Sequence, residues 1–271
     1  MANFIKHSGG NLIEEDISTD SISDISSAAP AAGDVFRFVG SFPSATTALS
    51  PLSYWEFDEA SGTTATDQGS TNNNGTYVGS PTLGVEGPFG PSGPTAVSLN
   101  GTSQRIDLSI ENSYVGDTMT FGIWAKADSD TMPGTASFIG QDDNTGDRWT
   151  IFVSSTGTLQ FYVTNTVVAT YVISDDPLPD LSGWHHYVVT FDSGTVAMYR
   201  DGVALALNVV GTNLNTIPTS TDLLMIGSRD NSDNWWPGDL AQVVFLDQVL
   251  SPTAVTNWYA SAANPVYANV P

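Results

Sequence analysis

The sequence predicts an all-β protein: an antiparallel β-sandwich, or jelly roll, preceded by an extended N-terminal arm and followed by one short C-terminal helix. Three observations carry this. Apolar residues alternate with polar ones over most of the chain from Leu52 onward. The runs are punctuated by Gly, Asn and Asp, residues that supply the backbone angles of tight turns. The single good helical pattern, SPTAVTNWYASA, stands near the end.

Each segment follows from its pattern. In TMTFGIWAKA a period of two puts Met119, Phe121, Ile123 and Ala125 on one face, and in WHHYVVTF it does the same for His185, Tyr187, Val189 and Phe191. His185 and His186 then point to opposite sides, which rules out a shared metal. TVAMYRDGVALAL reads as a hairpin turning at Asp201-Gly202, and TGTLQFYV follows a turn at Thr156-Gly157. Ser251 suits an N-cap and Pro252 the first turn of the helix, which places Val255, Trp258 and Tyr259 on one side. Trp55, Trp124 and Trp184 are expected as anchors of the core between the sheets.

Residues 1–50 differ in composition. They hold the acidic stretch EEDISTDSISDISS, then AAPAAGD, then a short strand-like VFRFVG. The expectation is an anchoring arm over 1–50, with Ile5, Leu12, Ile13, Ile17, Ile22 and Ile25 for its contacts, a sandwich over 51–262 and a tail over 263–271.

The bulk numbers exclude several classes. The formal charge is −22, from 7 basic and 29 acidic residues. Nucleic acid needs clustered Lys and Arg, and the chain has only two lysines, Lys6 and Lys126. With no cysteine, disulfides, zinc-thiolate sites and Cys nucleophiles are excluded. No apolar run is long enough to span a membrane, and MANFIKHSGGNLIEEDISTD lacks the basic-then-apolar pattern of a secretory signal.

The ordered series YWEFDEASGTTATDQGSTNNNGTYVGSPTLG (54–84), LNGTSQRIDL (99–108), TMTFGIWAKADS, GWHHYVVTFDSGTVAMYRDGVAL and LLMIGSRDNSDNWWPGDLAQVVFLDQVLSPTAVTNWY resembles laminin-G-like and pentraxin-like domains of the concanavalin A-like group. The resemblance covers about 52–262, and it implies a sandwich that serves lectins, adhesins, enzymes and structural parts alike. It also implies a calcium site where two acidic loops meet, QDDNTGDR (141–148) and SRDNSDNWW (228–236). Carried over onto this chain, the ligands are Asp143, Asn144, Asp147, Asp230, Asn231 and Asp233, oxygen donors of the kind calcium takes. The chain departs from the pattern at Arg229, a cation in place of an acidic ligand. A second calcium, which the resemblance places near Asp58, Glu59 and Asp67, lacks its usual partner, because the acidic pair of the last strand is here Ala241-Gln242.

Beside these loops stand Trp149, Trp235 and Trp236, with Asn234 next to them. Rings beside amides and carboxylates are the equipment of sugar sites, which makes these four the expected ligand-binding residues. An enzyme reading finds little support. Glycosidases need two carboxylates across a cleft, and the nearest string, Glu56-Phe57-Asp58-Glu59, lies in the first strand and is followed by Ala60 and Ser61. The expected function is therefore a non-enzymatic surface or structural protein of a bacteriophage particle, a capsid decoration or a tail or fibre component. Residues 1–50 would dock on capsid or tail proteins, and the sandwich would display a glycan-binding face at the virion surface, with self-association compatible with that role. The alternative is a bacterial surface or released lectin-like adhesin, extracellular or at the cell surface; a glycan-cleaving enzyme ranks below both.

Overall fold

The computed structural model describes residues 2–8, 11–17, 42–108, 116–142, 146–212, 214–219, 222–230 and 233–262. β1 (Ala2–Ser8) and β2 (Asn11–Ile17) pair antiparallel, from Ala2 opposite Ile17 to Ser8 opposite Asn11, as a two-stranded sheet of their own. After α1 (Phe42–Ala48) come β3 (Ser53–Trp55), β4 (Thr64–Ala65), β5 (Gly75–Val78), β6 (Thr82–Val85), β7 (Ala96–Asn100) and β8 (Arg105–Asp107). The long central strands follow: β9 (Thr118–Ala127), β10 (Ala136–Asp142), β11 (Arg148–Val153), β12 (Leu159–Thr164) and β13 (Ala169–Ser174). The chain closes with β14 (His185–Asp192), β15 (Thr195–Arg200), β16 (Val203–Ala204), β17 (Leu207–Gly211), β18 (Met225–Ile226), β19 (Pro237–Leu246) and α2 (Pro252–Ala262).

These strands make the expected sandwich. One sheet has nine strands in the order β17-β13-β12-β11-β10-β18-β8-β5-β4. The other has eight, β16-β15-β14-β9-β19-β7-β6 with β3 alongside β19, and every pairing is antiparallel. Alternation fills the space between them. Met119, Phe121, Ile123 and Ala125 of β9 and Tyr187, Val189 and Phe191 of β14 meet Trp149, Ile151 and Val153 of β11 and Leu159, Phe161 and Val163 of β12, all buried. Each such large side chain contributes about 1.5–3 kcal/mol by leaving water. The hairpin at Asp201-Gly202 has both residues at positive φ, 53° and 75°, as a two-residue turn requires.

A second core covers the back of the eight-stranded sheet. Trp124, His186 and Val188 point away from the first core and under the two helices. Trp124 and Trp184 therefore do not anchor the space between the sheets as expected; of the three tryptophans only Trp55 does. Phe42, at the start of α1, stacks on Trp258 of α2 (centroids 5.4 Å, 13° between planes) and meets Trp124 and His186 edge-on. The Trp258 indole N–H donates to Thr46 Oγ1 at 2.8 Å. Among the described residues, α1 thus packs onto the sandwich through Phe42 and Thr46 instead of standing off it as an arm. α2 starts as its sequence indicated, with Ser251 Oγ accepting from the Ala254 N–H at 3.2 Å. The consequence for function is an asymmetry: helices cover the outer face of the eight-stranded sheet, and among the described residues none covers the outer face of the nine-stranded sheet.

Candidate ligand face

The open face is built by the residues that alternate with the core. On β11 and β12, Trp149, Ile151, Phe161 and Val163 go inward, so Arg148, Thr150, Tyr162 and Thr164 go outward. Register then sets them in rows. Arg148 lies opposite both Asp142 and Thr164, Thr150 opposite both Gly140 and Tyr162, and Tyr171 opposite both Tyr162 and Val210. One row further, Phe152, Gln160, Ile173 and Asn208 line up across four strands.

The centre of the face is an aromatic pair tied to a charged strip. The Tyr162 and Tyr171 rings lie 4.1 Å apart between centroids at 36°, and Tyr171 is 37% exposed. The Arg148 guanidinium sits 4.9 Å from the Tyr162 centroid, donates to its hydroxyl at 3.3 Å and pairs with Asp142 at 3.0 Å. Partial burial raises the Tyr162 pKa, but hydrogen bonds from Arg148 and Thr164 and the charge of Arg148 outweigh it and hold the phenol below its ordinary value. Beyond Asp142 lies Arg229, which pairs with Asp142, Asp230 and Asp233. Beside the tyrosines, a shallow hollow of about 600 Å³ is lined largely by polar residues, among them Thr156, Thr158, Gln160, Asp175 and Asn208, with Ile173 and Leu207.

Charge is unevenly placed. The seven basic residues are two lysines and five arginines, and three of those arginines, Arg105, Arg148 and Arg229, belong to this face, each paired with aspartate. Exposed ring, hydroxyls, amides and paired charges together offer a stacking platform with donors and acceptors of both signs around it.

The tryptophans expected to bind ligand divide. Trp149 (0% exposed) and Trp236 (1%) are sealed in the core between the sheets, so neither offers a ring to a ligand. Alternation is the reason: Trp149 takes an inward place on β11, and of two adjacent tryptophans one must turn in. Trp235 turns out and is half-buried, with the Arg105 guanidinium 5.7 Å from its ring. Asn234 is half-buried at a turn with φ 57°, and its backbone carbonyl accepts from the Ser137 N–H at 2.8 Å.

The two acidic loops do come together, through Arg229. Of the expected calcium ligands, Asp143, Asn144 and Asn231 lie outside the described residues, and Asp147 is half-buried on the neighbouring turn. Asp230 and Asp233 do not fit a calcium, because their carboxylates face a guanidinium, and the Asp230 carboxylate also accepts from the Asp233 N–H at 3.0 Å. Among the described residues no group of three or more His, Asp or Glu is arranged to hold a metal. At the second expected calcium place, Asp67 is saturated by the N–H groups of Tyr54, Gly69 and Asn73 and the hydroxyls of Ser53 and Thr71, while Glu59 accepts from the Thr66 N–H and the Tyr77 hydroxyl. Gln242, buried at φ 53° in a bulge of β19, accepts from the Tyr54 hydroxyl where the pattern has an acid.

Glu56 follows Tyr54 by two residues and so shares its helix-covered side of the sheet, away from the open face. Its pKa is raised by burial first and then by Asp58.

A family model described as the concanavalin A-like lectin/glucanases superfamily matches residues 100–256. The chain belongs to this superfamily. No curated protein matches it. Among solved structures it is similar to superfamily-like folds of low identity, which show the fold alone. Domain 4 of AbnA, a GH43 extracellular arabinanase from Geobacillus stearothermophilus in complex with arabinotriose, matches at 19% identity and TM-score 0.60, over 78% of this chain and 98% of that one. The binding domain of Paraclostridial Mosquitocidal Protein 1 matches at 14% and 0.61, over 79% and 53%. The binding domain of botulinum neurotoxin DC, solved with rat synaptotagmin II, matches at 13% and 0.58, over 79% and 52%. This chain spans about half of those toxin domains. Within the superfamily's frame, the features sequence reasoning missed are Tyr162, Tyr171 and Arg148. Their signal was present: in LQFYVT and ATYVIS the inward apolar residues leave Tyr162 and Tyr171 at the alternate, outward places.

Proposed function

We propose that the chain is a non-enzymatic glycan-binding display module, with its ligand seated on the open face of the nine-stranded sheet. One observation carries the reading: an exposed tyrosine tilted against a second tyrosine, bordered by an Arg-Asp strip on one side and a hollow lined largely by polar residues on the other. Tyr171 stacks on the apolar side of a sugar ring, and Thr158, Gln160 and Asn208 take its hydroxyls. The carbohydrate complex of the arabinanase domain and the receptor-binding role of the toxin domains support a binding role for this fold. Glu56 and Asp58 stand apart from this face, which favours binding over cleavage.

The module is carried on a virus particle, capsid or tail, through its N-terminal segment. In support, among the described residues β1 and β2 pair with each other and add no strand to either sheet of the sandwich, and edges of such a two-stranded sheet suit pairing with a partner. Weak single sites gain strength when many copies are displayed.

The test is an array of linear neutral oligosaccharides, including arabino-oligosaccharides, probed with the wild type and Tyr171→Ala. The expected result is binding that falls at least tenfold in the variant, with an unchanged far-ultraviolet spectrum. An array blank for the wild type, or sugar released from it, overturns the reading. For the particle, deletion of residues 1–41 is expected to abolish incorporation and leave glycan binding intact.

A further inference from the structure

We infer that Arg229 is a built-in cation that joins the two acidic loops of this face in place of a divalent metal, so that the face is organised without calcium. The inference does not depend on what the face binds.

The geometry is that of a charge centre. The Arg229 guanidinium reaches Asp142 Oδ2 at 3.1 Å from Nε, Asp233 Oδ2 at 2.9 Å and Asp230 Oδ2 at 3.2 Å, both from Nη2. The Nε contact is an ion pair outside hydrogen-bond geometry, whereas both Nη2 contacts are hydrogen bonds. Asp142 ends β10, the strand that leads into the 143–147 loop, and Asp230 and Asp233 belong to the other loop. One side chain therefore bridges both. Asp142 also pairs with Arg148, so three carboxylates are met by two guanidinium groups.

The backbone is shaped for this side chain. A Cβ on Gly140 would stand 2.9 Å from Arg229 Cα and 3.1 Å from its Cγ, so the strand is bare where the arginine crosses it. The single proton of Ser228 Oγ is shared between the Asp230 and Asp233 carbonyls, which ties both of the aspartates that meet Arg229 to the residue before it. Asp142 is buried, Asp230 is mostly covered and Asp233 is exposed, and carboxylates gathered this closely repel one another and are stabilised by a cation between them. A planar guanidinium meets several at once through fixed donors, and unlike a bound metal it is not lost to a chelator.

The experiment measures Tm of the full chain, and calcium binding by calorimetry, for the wild type, Arg229→Gln and Arg229→Lys. The wild type is expected to show no heat with calcium and the same Tm in calcium and in chelator. Arg229→Gln is expected to fall by about 5 °C in chelator and to regain part of that loss in calcium, with Arg229→Lys in between. A wild type that binds calcium and gains Tm from it, or an Arg229→Gln as stable in chelator as the wild type, overturns the inference.

Discussion

The Arg148 guanidinium lies over the ring of Tyr162, 4.9 Å from its centroid, and the same side chain holds Asp142 at 3.0 Å. Arg148 therefore connects an aromatic platform to a charged strip across neighbouring strands, and the phenol reports on that connection. Because Arg148 is the leading group among those that hold the Tyr162 pKa down against burial, ahead of Thr164 and Tyr171, Arg148→Met is expected to raise it. Ultraviolet titration of phenolate formation checks this, with Tyr162→Phe identifying the affected transition. An unchanged titration means that the contact has no electrostatic consequence.

His186 makes the fold sensitive to acid. The ring is fully buried among Phe42, Trp124 and Trp258, neither nitrogen has a hydrogen-bond partner among the described residues, and burial pushes its pKa down to about 3 against the opposing charge of Asp201. A group whose folded pKa lies below its unfolded value near 6.5 gives its stability at high pH. That stability falls as pH drops below 6.5 and continues to fall until about pH 3. At pH 5 the loss from this residue is about 2 kcal/mol relative to pH 7. Urea unfolding at the two pH values measures it, and His186→Phe is expected to lose less stability than the wild type over that interval.

The helical cover over the eight-stranded sheet depends on Phe42 and on Gly122. Phe42→Ala removes a ring that touches four others and is expected to cost about 3–5 kcal/mol. Gly122→Ala puts a Cβ 2.4 Å from the Trp258 ring, which forces α2 outward. A fragment starting at Phe42 is expected to melt like the full chain, and one starting at Pro51 markedly lower. Equal melting of the two fragments would return 42–50 to the arm.

How far the sequence could be read depends on what each residue answers to. Met119, Phe121 and Ile123 answer to alternation alone, which is local, so the sandwich and its strands were legible. Phe42 was not, because an aromatic set between the strand-like VFRFVG and the Ser-, Thr- and Ala-rich PSATTALS shows no helical period, and its place is set by Trp258, more than two hundred residues away. The candidate site divides in the same manner. The meeting of the two acidic loops was legible from the family resemblance, and the charge of Arg229 marked the departure from it. The burial of Trp149 and Trp236 follows from which side of the strand faces the other sheet, which composition does not state. Tyr162 and Tyr171 become neighbours only through the pairing of β12 with β13.

The central claim, that ligand sits on the open face of the nine-stranded sheet, is tested most directly by hydrogen-exchange mass spectrometry with and without a bound oligosaccharide. The account predicts slowed exchange in peptides covering Arg148–Val153, Leu159–Thr164 and Ala169–Ser174, with none in α1 and α2. Protection confined to the helices, or to the opposite sheet, would contradict it.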